Sequence, residues 1–333
     1  MSVRNTALEN NSLEVRNNSQ DFQENDVIKV AVFTSLSLLS FSIVSINCFV
    51  LYLVYSRRSL RTTTNICLAS LSCSDLLAGL CAIPLVFSCS LQKTHFNGVC
   101  LAMDLFNKFQ AISTVLHLLI ISLERYVTIV SPLRRSNTGM TVTKNVITTL
   151  TTLWLGSALL ALIQIPWIDL SFNSPPNPQS QIIYGLCLCV LVSVALLAIS
   201  FIYFRIFYTL KKQNRHIKRN TPRLEQTTNI RKKSKQKEMR SAVILSSMTI
   251  TFITGWCFYF VLSLEADLNL SLTIPMWFEN TSVFMRFLPA MVNPLLYTFL
   301  KQDFIEAVST IFSKSKARAQ PLRERTSLRP TSN

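Results

Sequence analysis

The sequence predicts an all-α membrane protein: a seven-transmembrane helix bundle with a short amphipathic membrane-surface helix after span seven. Three observations predict it. Seven apolar stretches each reach the roughly 20 residues that a helix needs to cross a hydrocarbon core. Charged residues make up only 15% of the 333 while hydrophobic ones make up 49%, where ordinary soluble domains carry about 25% charged. The surplus of 33 Lys and Arg over 17 Asp and Glu collects in alternate loops rather than along the chain.

The elements follow in order. Residues 1–29 are polar, lack a basic segment leading into a cleavable apolar stretch, and are expected to be an unstructured, glycosylated extracellular segment with sequons at Asn10 and Asn17. The bundle occupies 30–300. Span one runs from Val30 to Tyr55 without a charge after Lys29 and is stopped by Arg57, Arg58 and Arg61. Spans two to seven are read at about 65–87, 101–129, 144–168, 182–210, 241–264 and 274–299, separated by polar or breaker-rich segments such as SRRSLRTTT and SFNSPPNPQSQ. Each is a helix because lipid offers backbone groups no other partner in a single open segment. After span seven, KQDFIEAVSTIFSK puts Phe304, Ile305, Val308, Ile311 and Phe312 on one face, which reads as an amphipathic helix over 301–314 lying on the headgroups. The tail, 315–333, has no cysteine to carry a palmitoyl chain.

The basic residues set the orientation. Apart from Arg4, Arg16, Lys29 and Lys93, and the cations inside the spans, all of them fall in the loops after spans one, three and five or in the tail. Only Glu225, Glu238, Asp303, Glu306 and Glu324 oppose them there. The N-terminus is therefore expected outside the cell and the C-terminus in the cytoplasm. This placement also answers the net charge of +16. The long basic stretch 211–240 lies between two spans, so contact with anionic lipid or a cytoplasmic protein explains it more simply than nucleic acid does.

An ionisable group near the bilayer centre costs about 2.5–3.5 kcal/mol on insertion scales, so each is a functional hypothesis. The spans hold Asp75, Asp104, Lys108, Glu124, Arg125, Arg205 and Arg286. Arg205 and the Glu124–Arg125 pair lie near span ends, where snorkelling lowers the cost. Asp75, near the middle of span two, has no such outlet. Arg125 can pair with Glu124 and, across the bundle, with Glu238, a contact that would hold spans three and six together in the resting state.

These residues carry a resemblance. Span one has Asn47 in SINCFV, span two Asp75 in TTTNICLASLSCSDLL, span three closes on ERYVTIVSPL (Glu124, Arg125, Tyr126, Pro132), and span four has Trp154. Tyr203 lies in span five, FITGW (Phe252, Trp256) in span six, and NPLLY (Asn293, Pro294, Tyr297) in span seven, followed by Phe304. The chain resembles the rhodopsin-like (class A) G-protein-coupled receptors from span one to the amphipathic helix. It is distantly similar to their adenosine, melanocortin and amine branches.

The resemblance implies a receptor that passes binding of an extracellular ligand to heterotrimeric G proteins by rearranging spans three, six and seven. Coupling and its lock would fall to Glu124, Arg125, Tyr126, Glu238, Tyr203 and Tyr297, and the switch to Phe252, Trp256, Asn293 and Pro294, with Pro294 bending span seven. No cofactor is implied beyond an allosteric sodium ion held by Asp75, Thr114 and Asn293. Pro289 and Ala290 replace the small polar groups usual around that ion. The span-six proline is absent after Trp256, where Cys257 and Phe258 stand. Cys100 sits where the family tethers span three to the second extracellular loop, yet 169–184 holds no cysteine. Cys89 is then the candidate partner, with Cys187 and Cys189 lying deeper in span five.

For the ligand, the resemblance points to Asp104, Asn107, Lys108, Arg286 and Phe287. The carboxylate of amine receptors is replaced by Asn107 and the retinal-linking lysine of opsins by Phe287, which disfavours amines and excludes a covalent retinal. Two cations in an apolar site favour a ligand bearing a carboxylate or phosphate, with amine or peptide ligands as the alternative. Arg286 has a second reading, in which it pairs with Asp104 or Glu279 and only braces the bundle. A transporter would need paired broken helices or an internal repeat, and the chain has six glycines and no repeat. An enzyme finds no support in His95, His117 and His216, which are too scattered for a metal or triad site.

Overall fold

The computed structural model describes residues 2–92, 98–130, 139–168, 178–219, 225–268 and 273–319, and side chains over 27–92, 98–130, 145–168, 179–215, 233–266, 268 and 273–311. The side chains of Asn10 and Asn17, and the whole tail beyond 319, lie outside what is described. Seven helical spans are long and apolar enough to cross a membrane, at Val27–Ser56, Thr63–Ser90, Gly98–Val130, Asn145–Trp167, Gln179–Arg215, Lys233–Ala266 and Met276–Leu300. They bear out the predicted bundle, with boundaries a few residues wider at most ends. Phe41, Leu159, Val190, Leu197 and Ile250 point outward and exposed, the apolar belt that a lipid solvent requires.

Helix α1 spans Ser2–Ser56. It continues back through the polar segment expected to lack structure, and no Gly or Pro precedes Gly79 to stop it. Span two is compound: α2 (Thr63–Leu77), a π turn (Ala78–Ala82) and α3 (Ile83–Ser90). Thr62 caps α2 by accepting from the Asn65 amide at 3.4 Å. Pro84 lacks the N–H that the preceding turn needs, and the π turn accommodates it. Gly79 lies in that turn because a Cβ there would stand 2.9 Å from Val44 of span one. The Gly79 carbonyl accepts from the Ser40 hydroxyl at 2.8 Å.

Span three is α4 (Gly98–Val130) and packs against spans two, four, five and six. Span four is α5 (Gly139–Leu162) closed by a 3-10 turn at Ile165–Trp167; span five is α6 (Pro178–Arg219). Span six is one uninterrupted helix, α7 (Glu225–Leu268), as the missing proline after Trp256 predicts. Span seven is broken into α8 (Met276–Met285) and α9 (Leu288–Leu300). The break falls at Arg286–Phe287, not at Pro294, which sits inside α9. Pro289 explains the position: it cannot donate to the Met285 carbonyl four residues back. Span six approaches that carbonyl closely, since a Cβ on Gly255 would lie 2.6 Å from the Met285 oxygen and 2.8 Å from the Pro289 ring. The short helix after span seven is α10 (Gln302–Ala319), turned off α9 at Lys301 and docked by Phe304, which is fully buried against Tyr297 at 5.3 Å between ring centroids.

Candidate functional site

At the end of the bundle away from the basic loops, Cys89 and Cys100 are disulfide-bonded. The bond joins the outer ends of spans two and three and leaves Cys187 and Cys189 out, as the loop without cysteine implied. About two helical turns further along α4, Lys108 donates to Asp104 at 2.7 Å and to the Gln164 side-chain oxygen at 2.8 Å. Gln164 donates in turn to the same Asp104 oxygen at 3.2 Å. The ammonium also stands 5.0 Å from the Tyr184 ring centroid, a cation–π distance. Asp104 and Lys108 meet because residues four apart share a helix face. Gln164, which no motif singles out, is brought in by the end of span four. The ring of contacts is closed, so this lysine has little capacity left for a ligand.

Arg286 is different. It is the C-cap residue of α8, 8% exposed, and its Nε has no hydrogen-bond partner. Among the described residues it forms no ion pair with Asp104 or Glu279, which corrects the bracing reading: Lys108 has taken Asp104, and Glu279 is exposed. Its guanidinium lies 5.8 Å from the Tyr259 ring and 5.1 Å from the Phe287 ring. Tyr259 stands edge-on to Trp256 at 5.3 Å, and Trp256 lies 6.1 Å from Phe252. Trp256 is therefore one ring away from the cation, and Phe252 lies just beyond it. Asn107, buried on span three, also has an unpartnered side-chain N–H group.

In the bundle centre Asp75 is 1% exposed, and its Oδ2 and both side-chain polar atoms of Asn293 have no hydrogen-bond partner. Asn293 is within electrostatic reach of Asp75, and Thr114 is buried. Unpaired carboxylate and amide oxygens around one buried charge suit a hard cation, although Pro289 and Ala290 contribute no side-chain oxygen. Beside this pocket a separate polar chain is fully satisfied. Trp154 donates to Ser70 at 3.0 Å, Ser70 meets His117 Nε2 at 2.9 Å, and His117 Nδ1 meets the Ser113 carbonyl at 2.8 Å. The carbonyl can only accept, so Nδ1 carries the proton and His117 is a neutral packing residue, as its isolation from other ligand-type residues predicts.

At the basic face, Arg125, Thr128, Glu238, Ser241, Lys301 and Asp303 are among the residues lining a cleft of about 250 Å³ between span three, span six and the start of α10. Arg125 Nε lies 3.7 Å from Glu124, whose carboxylate also accepts from Thr64 and, at 3.3 Å, from Thr128. Tyr126 is half-buried against the core. The expected bond from Arg125 to Glu238 is not formed. Lys235, one turn earlier on the same helix, holds Glu238 at 2.8 Å, because a neighbour three residues away closes at lower entropic cost than one across the bundle. Span six is tied instead through Lys237, 2.5 Å from Asp303 of α10.

Lys301 anchors the same corner. It is buried, donates to Asn65 and lies 3.9 Å from Asp303. Burial first, then the nearby Arg125 charge, pushes its ammonium down to about 7. Tyr297 bonds to Ser72 of span two, while Tyr203 of span five lies within electrostatic reach of Ser122 of span three. The two tyrosines thus face different neighbours in this arrangement. Neither Lys237, Asp303 nor Lys301 belongs to the sequence motifs; a scan for opposite charges near the ends of spans six and seven would have found the first two.

The profile described as 7 transmembrane receptor (rhodopsin family) matches residues 46–297. The chain belongs to that family. It is 27% identical over 298 residues to the histamine H2 receptor of Cavia porcellus, covering 86% of this chain and 80% of that one. It is 25% identical to the human histamine H2 receptor over 296 residues, 85% and 80% of the two chains. To trace amine-associated receptor 7e of Rattus norvegicus it is 24% identical over 281 residues, 76% and 74% of the two chains. These relatives lie on the amine side of the likeness drawn from the motifs.

Proposed function

We propose that this chain is a plasma-membrane receptor, N-terminus extracellular, that passes ligand binding among spans three, six and seven to a heterotrimeric G protein at its basic face. The observation that carries this reading is the basic-face cleft, where Arg125 has an ion-pair partner only at 3.7 Å and its Nε makes no hydrogen bond. A ligand that favours an outward position of span six shifts the bundle toward the coupled state by its differential affinity for that state. The move parts Lys237 from Asp303, widens the cleft and frees Arg125 for the partner. Anionic lipid attracts the surrounding lysines and arginines and seats α10 on the inner leaflet. Asp75, Thr114 and Asn293 would hold a sodium ion that supplies positive charge to the buried carboxylate and favours the resting bundle.

The relatives' names indicate histamine and trace amines. In this chain the amine-anchoring position is Asn107, and Asp104 already has an ammonium of its own in Lys108. An amine ligand would have to displace Lys108. The function is tested by expressing the chain in cells with reporters for each G-protein class and comparing it with Arg125→Ala at equal surface level. Reporter activity above mock that Arg125→Ala abolishes is expected; silence of the wild-type chain on every reporter would sink the reading.

A further inference from the structure

We propose that Arg286 is the docking point for an oxyanion, a carboxylate or phosphate, on the ligand; the proposal rests on the receptor reading above and names the chemistry of its ligand. A guanidinium is a permanent charge at any physiological pH, so it cannot escape burial by losing a proton. At 8% exposure it is also too enclosed to reach water by snorkelling. Buried cations are ordinarily matched by an anion. Here the Nε is unpartnered, no carboxylate among the described residues pairs with the group, and the guanidinium rests against the faces of Tyr259 and Phe287. The acid whose field does reach it, Asp104, is held by Lys108 and Gln164. The described residues thus supply a neutralised lysine and an uncompensated arginine, and no anion among them completes the pair.

The planar fork of a guanidinium matches the paired oxygens of a carboxylate or phosphate, which makes an oxyanion the specific complement. The location also gives the contact a consequence. Arg286 sits at the break between α8 and α9, and its cation–π partner Tyr259 packs on Trp256 of span six. An oxyanion that draws the guanidinium out of the Tyr259 face alters the packing of that ring against Trp256.

The test uses full-length receptor in detergent and follows thermal unfolding. Acetate, succinate, inorganic phosphate and phenyl phosphate are added at constant ionic strength with chloride as the balancing anion, and the carboxylate and phosphate arms distinguish the two sources. At least one is expected to raise the wild-type Tm by roughly 5 °C at a hundredfold excess over its Kd, while Arg286→Gln abolishes the shift and Arg286→Lys, which keeps the charge but not the fork, weakens it. Arg125→Ala should retain the shift even though it cannot couple, so oxyanion binding and G-protein signalling succeed or fail separately. Should Arg286→Gln not fold, Arg286→Lys alone decides by a weakened or unchanged shift. No shift with any of the four, an equal shift in Arg286→Gln, or a Tm rise with histamine that survives Arg286→Gln overturns the proposal.

Discussion

Lys108 has a carboxylate at 2.7 Å and an amide oxygen at 2.8 Å; Arg286, on span seven of the same end, has aromatic faces and an unpartnered Nε. The basic face repeats the contrast. Lys301 is bonded to Asn65 with Asp303 beside it, while Arg125 stands 3.7 Å from a Glu124 carboxylate already engaged by Thr64 and Thr128. At each end a lysine is spent on the fold and an arginine is under-used. On the proposed reading, the difference separates charges that hold the bundle together from charges kept for a ligand and a G protein.

The largest effect that would break this comparison lies on the lysine side. Asp104→Ala strands the Lys108 ammonium, and we expect a loss of about 3 kcal/mol, the low end for breaking a buried pair, because the Asp104 side chain is 38% exposed. Thermal unfolding of purified receptor measures it, and adding Lys108→Met should recover most of the loss. Arg286→Gln should have the opposite sign in the absence of ligand, since it removes a buried charge that the fold does not use. Equal destabilisation by both substitutions would erase the distinction.

The next effect concerns Lys301. With its ammonium held down to about 7, burial being the first cause and Arg125 the second, the unfolded chain binds more protons than the folded one between about pH 7 and pH 10. Stability must then rise with pH across that window, by at most about 1.4 kcal/mol per pH unit, and level off below it. The groups facing Lys301 are Asn65, Arg125, Asp303, Glu124 and Lys237. Melting curves from pH 6 to 9 should show the slope, and Lys301→Met should flatten it.

The smallest effect is at the tie between span six and α10. Lys237 and Asp303 are 46% and 28% exposed, so their pair contributes about 0.2–1 kcal/mol. Lys237→Ala should raise ligand-independent GTP exchange by no more than about fivefold. Glu238→Ala should raise it less, because Glu238 pairs with its own helix rather than with Arg125.

The bundle was legible in the sequence because membrane crossing is a one-dimensional property: length and apolar content alone decide it. The cysteine at Cys89 was legible by elimination within the resemblance. The pairings were not. Glu238 and Asp104 each had two or more cations in reach, and in both cases the one on the same helix face won, at Lys235 and Lys108. Local closure is the cheaper contact, and the sequence motifs emphasise the distant one. The break in span seven shows the same limit. Pro289 and Pro294 are equally visible as residues, but only the fold reveals that the Met285 carbonyl freed by Pro289 faces a glycine on span six.

That glycine also sets a gear ratio. Span six is a single rod without a proline hinge, and at Gly255 it comes so close to span seven that a Cβ there would stand 2.6 Å from the Met285 carbonyl oxygen. At 1.5 Å rise per residue, Tyr259 lies about 6 Å along the axis from that fulcrum and Lys237 about 27 Å on the other side. Rocking of about 1 Å beside Arg286 becomes a swing of about 4 Å at the far arm, enough to part Lys237 from an Asp303 now 2.5 Å away. In the proposed movement of span six, a rigid lever of unequal arms would thus take the place of a bending joint.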